Sequence, residues 1–104
     1  MAVAIAAEVP DINSQIAIHG ARSPFYVLFD EQGNMLESLA NPFTKVERGV
    51  ALQAASFLAA KDVTLLVAGG FGPKFVDELD RRSIKYTQKE GQVTDVVSEL
   101  FARS

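Results

Sequence analysis

A nearly unbroken apolar run at residues 63–67 constrains the fold more than any other feature of the sequence. A strand with one solvated face alternates apolar and polar residues, whereas a continuous apolar run is typical of a strand that is covered on both faces. The run leads into the segment 69–73, with the sequence GGFGP. Pro73 favours the first turn of a helix, because its missing N–H needs no partner there. Together these features predict a buried parallel strand followed by a helix, as in α/β proteins.

The remaining elements follow from the spacing of apolar residues. Apolar residues at three- and four-residue intervals predict helices, and dense β-branched and aromatic runs predict strands. We predict strands at 3–6, 25–30, 35–40 and 83–87 besides the run at 63–67, and helices at 49–62, from 73 onward and after 91. Turn-forming residues 31–34 make the second and third strands a hairpin, and Pro42 ends it. In the long loop before the second strand, only residues 16–18 could be extended.

This order of elements predicts one α/β domain over residues 1–104. The first three strands form an antiparallel meander, and helical crossovers, right-handed by strong precedent, make the first, fourth and fifth strands parallel. The strand order 3-2-1-4-5 satisfies both conditions, and with three helices it gives a ribonuclease H-like fold with a five-stranded mixed sheet. Ligands of such open sheets bind beyond the carboxyl ends of the parallel strands. Two loops meet there: residues 9–23, which contain His19, and the glycine turn at 69–72.

Composition excludes several classes of function. The chain has no cysteine, which excludes disulfides, thiolate catalysis and Cys-ligated metal sites and fits a reducing compartment, so we expect a cytoplasmic protein. Ten basic against thirteen acidic side chains give a net charge of −3, which argues against binding to a nucleic acid backbone. The apolar N-terminus lacks a preceding basic residue, and no apolar run approaches the roughly 20 residues that cross a bilayer. We therefore expect neither nucleic acid nor membrane as a partner.

Known catalytic arrangements do not fit the sequence. A nuclease of this fold needs clustered carboxylates for paired divalent ions, but the first strand offers only Glu8 and the fourth has no acidic residue. There is no GxSxG motif, and His19 has no identifiable Ser or Asp partner. The glycine turn matches neither the P-loop nor the dinucleotide-binding spacing. We therefore expect a protein that is not an enzyme.

His19 and Arg22 are the candidate binding side chains of the first loop. His19 is the only imidazole, and hence the only neutral nitrogen ligand for a metal. A closed metal site needs three or four protein ligands, and no such set accompanies His19, so it could supply one contact to a preassembled anionic cofactor. Arg22 would then be a counter-charge. The alternatives are an ordinary loop histidine and a solvated arginine.

Gly69, Gly70 and Gly72 are the candidate binding residues of the second loop. Glycine allows positive φ and lets backbone N–H groups approach a ligand, and a helix N-terminus favours an anion. The alternative is that a tight corner between strand and helix simply needs glycine. We interpret residues 41–48 as a connection, although this loop could fold over the same end of the sheet.

Several of these segments together resemble the dinitrogenase iron-molybdenum cofactor biosynthesis family, the group of NifX, NifY and the NifB C-terminal domain. They are residues 3–6, the segment from His19 into the second strand, Asn41-Pro42-Phe43, the GGFGP turn and the short last helix. The most specific are the turn and a histidine placed eleven residues before Asp30. The resemblance implies a ribonuclease H-like fold without nuclease activity.

The resemblance also implies a function and its residues. His19 falls on the family histidine implicated in cluster binding, Arg22 on its basic follower, and the three glycines on the family's turn. It implies a carrier that binds an iron-molybdenum or related metal–sulfur cluster, with His19 as the metal ligand, and that exchanges this cluster with donor and acceptor proteins. The alternatives are a cofactor-free interaction module and a binder of small anions at the glycine turn. We expect a monomer or a weak homodimer.

Overall fold

The elements of a computed structural model form one mixed sheet with three helices. The structure describes residues 1–102, so Arg103 and Ser104, the end of the predicted domain, lie outside the described residues. In chain order the elements are β1 (Ala2–Ala7), β2 (Phe25–Phe29), β3 (Met35–Ala40), α1 (Val50–Ala60), β4 (Val63–Ala68), α2 (Pro73–Arg81), β5 (Lys85–Gln88) and α3 (Val93–Leu100). The strand order is β3-β2-β1-β4-β5. This confirms the predicted fold class.

The pairing of the strands also agrees with the prediction. β1 lies antiparallel to β2, and β2 antiparallel to β3. β1 lies parallel to β4, and β4 parallel to β5. The carboxyl ends of β1, β4 and β5 therefore meet at one edge of the sheet, where ligands of open α/β sheets bind.

Both faces of the central strands are buried, which explains the apolar run in β4. Leu66 packs in a cluster with α1 and α2, and the next residue, Val67, packs in a second cluster with α3. Neither residue exposes any surface, because successive side chains of a strand point to opposite faces. In β1, Ala4 and Ile5 divide between the two clusters in the same way.

The end of α2 explains why β5 begins two residues later than predicted. The fifth strand begins at Lys85 rather than at residue 83, because Ser83 takes a positive φ of 58° and the Ile84 N–H donates to the Leu79 carbonyl oxygen at 3.0 Å. These two residues thus close the end of α2 instead of extending β5. Within residues 1–102, no helix has the length and apolar composition to cross a membrane.

Candidate functional site

The second half of the loop between β1 and β2 runs along the carboxyl edge of the sheet. We call residues 15–20 the strap. The Ala17 N–H donates to the Ala6 carbonyl oxygen at 2.9 Å, and the Ala17 carbonyl oxygen accepts from the Gly69 N–H at 2.8 Å. Farther along, the Gly20 N–H donates to the Gly70 carbonyl oxygen at 3.0 Å. The strap is thereby fixed between β1 and the glycine turn.

His19 lies directly beside the glycine turn. It forms an isolated parallel bridge with Gly70, and its side chain is exposed. His19, Arg22, Gly70 and Gly72 line one depression of about 400 Å³. The structure therefore brings these four predicted residues together. Gly69, the fifth, is buried and does not line the depression.

Gly69 and Gly70 are glycines because of close contact and not because of their dihedral angles. A Cβ on Gly69 would lie 2.9 Å from the Cα of Ile18, and one on Gly70 would lie 3.0 Å from the Ile18 carbonyl oxygen. Within residues 1–102, positive φ occurs only at other glycines and at Asp62 and Ser83. The expectation of positive φ at this turn is therefore wrong. The backbone of the strap lies so close that a side chain would not fit.

Gly72 differs from its two neighbours, since neither packing nor dihedral angles require glycine there. It is the N-cap residue of α2, with φ −73° and ψ 157°, and it provides no side-chain cap. A Cβ on Gly72 would meet no atom within 4 Å. The first N–H groups of a helix have no intrahelical acceptor, and because Pro73 has no N–H, in α2 these are the N–H groups of Lys74 and Phe75, which follow the lining residue Gly72 in the chain. A ligand can therefore approach this backbone closely.

The loop between β3 and α1 is attached to the same end of the sheet. Asn41 is buried, and its Nδ2 donates to the Ala21 carbonyl oxygen at 3.0 Å. Arg22 is exposed, and its Nη1 donates to the Thr44 carbonyl oxygen at 3.1 Å. The interpretation of residues 41–48 as only a connection is therefore wrong, because this loop holds both the chain after His19 and the predicted counter-charge.

Tyr26 is a buried residue of β2 that holds the strap and the loop after β3 by hydrogen bonds. This role was not predicted from the sequence. Its hydroxyl donates to the Gly20 carbonyl oxygen at 2.5 Å and accepts from Asn41 Nδ2 at 3.3 Å. The Tyr26 hydroxyl is protonated at neutral pH, as in any tyrosine, and burial raises its pKa further. The only sequence signals were a tyrosine inside an otherwise apolar strand and an asparagine before proline.

We expect Tyr26→Phe to lower the free energy of unfolding by about 1–2 kcal/mol, because the buried Gly20 carbonyl loses its donor while Asn41 keeps its bond to Ala21. Urea unfolding measures this loss. Hydrogen exchange at the Gly20 amide should also become faster. The matched control is Tyr86→Phe, since the hydroxyl of Tyr86 makes no hydrogen bond within residues 1–102 and the side chain is partly exposed. Equal stability of both variants would contradict the supporting role of Tyr26.

The described residues provide no complete metal site. Among residues 1–102, no group of three or more His, Cys, Asp or Glu side chains could hold a metal ion. A metal bound by His19 would therefore need its other ligands from outside these residues.

Comparison with known proteins identifies relatives of this chain. Residues 1–103 match the sequence model of a protein family that is described as dinitrogenase iron-molybdenum cofactor. The apo form of the orange protein from Desulfovibrio gigas is 25% identical, with a TM-score of 0.88 over 94% of this chain and 84% of that chain. No curated protein matches the sequence.

Two further solved structures share the fold. A candidate NifB protein from Thermotoga is 24% identical, with a TM-score of 0.79 over 97% of this chain and 86% of that chain. A candidate dinitrogenase from Methanocaldococcus jannaschii is 12% identical, with a TM-score of 0.67 over 97% of this chain and 88% of that chain. At these identities the likeness concerns the fold alone.

Proposed function

The chain belongs to the dinitrogenase iron-molybdenum cofactor family, and on this premise we propose that it is a non-enzymatic carrier of an anionic metal–sulfur cofactor or its precursor. The observation that carries the proposal is the single depression shared by His19, Arg22, Gly70 and Gly72. Its volume of about 400 Å³ lies within the range of small-molecule sites. The orange protein, described in its apo form, supports the idea that this fold receives a bound group.

Capture of the cargo combines one metal bond with electrostatic attraction. The imidazole of His19 supplies the bond, and neutral imidazole is a common metal ligand. The start of α2 carries a partial positive charge that favours an anion by about 0.3–1 kcal/mol at an exposed site. Arg22 adds a full charge at the rim, where solvent screens it. These terms are individually modest, so we assign most of the affinity to the bond from His19.

Gly72 gives independent support for close approach of the cargo. Neither its conformation nor its neighbours require glycine, and a side chain there would stand between the cargo and the N–H groups of α2. Access to these groups for a ligand is a physical reason for glycine at this position.

The partners of such a carrier are the proteins that donate and accept the cofactor, and we place the exchange in the cytoplasm. Nucleic acid and membranes have no part in it. The carrier role requires neither a catalytic group nor a stable dimer.

We expect His19→Ala to weaken the binding of isolated iron-molybdenum cofactor at least about tenfold, since loss of even an outer-shell partner costs about 10–100-fold in metal affinity. Anaerobic titration followed by absorption measures this change. When the free cofactor is present at 100 times its Kd, the free energy of unfolding of the wild-type protein should also rise by about 2.7 kcal/mol.

The matched control is Gln15→Ala, which truncates an exposed side chain on the same strap but outside the depression. It should bind as the wild type does. Equal absence of binding in wild type and His19→Ala would overturn the carrier function. Equal tight binding in both would remove His19 from the site.

A second candidate function is that of a cofactor-free interaction module. The observation in its favour is the edge strand β3, where Met35 and Leu36 are 45% and 56% exposed. An exposed strand edge can pair with another chain. This candidate becomes the first choice if the titration detects no cofactor.

A further inference from the structure

A second and larger groove adjoins the depression. It lies between the start of α1 and α2 and has a volume of about 860 Å³. Ala21, Arg22, Val50 and Gly72 line both the groove and the depression. An occupant of the groove would therefore lie next to a cargo in the depression.

Basic side chains are concentrated along this groove. Arg22, Arg48, Lys74 and Arg81 line it, which is four of the ten Lys and Arg residues of a chain with a net charge of −3. Within residues 1–102 none of the four forms an ion pair. Their charges are thus available to an acidic partner.

The rest of the groove favours a ligand that is partly apolar over one that is purely ionic. Apolar residues of both helices form part of its lining, and Leu52 among them is 50% exposed. Three carboxylates also line it, those of Glu47, Asp77 and Glu78. Glu78 is paired with Arg82, and the other two form no ion pair within the described residues. These carboxylates repel a dense negative charge such as a polyphosphate. They are compatible with a chain whose acidic residues are spaced apart by apolar ones.

We propose that this groove docks an acidic, partly apolar segment of a partner protein. Apolar side chains of the segment cover Leu52 and the neighbouring surface, and its carboxylates meet Arg48, Lys74 and Arg81. This complementarity of charge steers association and selects partners. The inference names the partner chemistry of the proposed carrier and rests on that function for its purpose, while the binding itself needs no cargo.

Arg22 links docking to the cargo. Its guanidinium is exposed, makes one hydrogen bond to the Thr44 carbonyl oxygen and lines both spaces. A carboxylate of a docked segment competes with an anionic cargo for this one guanidinium.

Fluorescence anisotropy with a short labelled peptide that alternates glutamate with leucine tests the proposal. We expect binding to the wild type that weakens with added salt, since the Debye length falls from about 10 Å at 0.1 M to about 3 Å at 1 M. The double variant Arg48→Glu with Lys74→Glu should bind about tenfold more weakly or worse. The control Lys85→Glu reverses an exposed charge on β5, outside the groove, and should bind as the wild type does.

The remaining arms separate this inference from the carrier function. His19 does not line the groove, so His19→Ala should bind the peptide as the wild type does. Docking and cofactor binding can therefore fail independently, and a failed cofactor titration would not contradict docking. A peptide that alternates lysine with leucine should bind at least about tenfold more weakly than the acidic one. Equal affinity for both peptides, stronger competition by ATP than by unlabelled peptide, or no effect of the double variant would each overturn the inference.

Discussion

Replacing Gly69 with alanine is expected to lower the free energy of unfolding by about 2–3 kcal/mol, as for other substitutions that overpack a well-packed interior. The added Cβ would lie 2.9 Å from the Cα of Ile18 and 3.2 Å from the Ala17 carbonyl oxygen. Both are backbone atoms, so a change of rotamer cannot relieve the contact. The strap must move away, which also strains the 2.8 Å hydrogen bond from the Gly69 N–H to Ala17.

Thermal and urea unfolding measure the loss, and each kcal/mol should lower the Tm by about 4–8 °C in a chain of this size. Gly72→Ala is the matched control, because its Cβ would meet nothing within 4 Å. We expect that variant to stay within about 0.5 kcal/mol of the wild type. If Gly69→Ala were equally stable, the strap would not lie against the turn in solution.

The fold was predictable because its determinants are local. The spacing of apolar residues within each element gave the helices and strands, and the connection lengths then gave the strand order. The continuous apolar run of β4 predicted a strand covered on both faces, and Leu66 and Val67 indeed face opposite clusters. The boundary of β5 was less predictable, since the bond from Ile84 to Leu79 that closes α2 has no signature in sequence.

The candidate site was only partly predictable. Topology placed His19 and the glycine turn at the same edge of the sheet, because both follow strands whose carboxyl ends meet there. Three details depend on contacts between distant segments: the approach of the strap to Gly69, the bond from Asn41 to Ala21 and the bond from Tyr26 to Gly20. No residue pattern within one segment encodes such contacts. The glycines of the turn were therefore attributed to positive φ instead of close contact, and Tyr26 was interpreted as an ordinary core residue.

Replacing Gly72 with aspartate is expected to change stability and cargo binding in opposite directions. Aspartate is a favoured N-cap residue and Gly72 provides no side-chain cap, so the new carboxylate can accept from the first N–H groups of α2. A better cap, the favourable helix dipole and a less flexible unfolded chain together raise the free energy of unfolding by about 1 kcal/mol. The φ of −73° and the open space around Cβ allow this without strain.

The same aspartate should weaken the binding of isolated iron-molybdenum cofactor about a hundredfold. It occupies the N–H groups that the cargo would use, and it places a negative charge where an anion must lie, at a cost of about 1–4 kcal/mol for charges 4 Å apart near a surface. Urea unfolding and anaerobic titration on the same preparations measure the two effects.

Gly72→Asn separates charge from capping, because asparagine caps a helix about as well as aspartate but carries no charge. We expect it to share the gain in stability and to lose less affinity than Gly72→Asp. Since Gly72→Asp is expected to be more stable than the wild type, its loss of binding cannot come from unfolding. Full affinity in Gly72→Asp would mean that the cargo does not lie at the start of α2, and the binding site would then have to be sought around His19 alone.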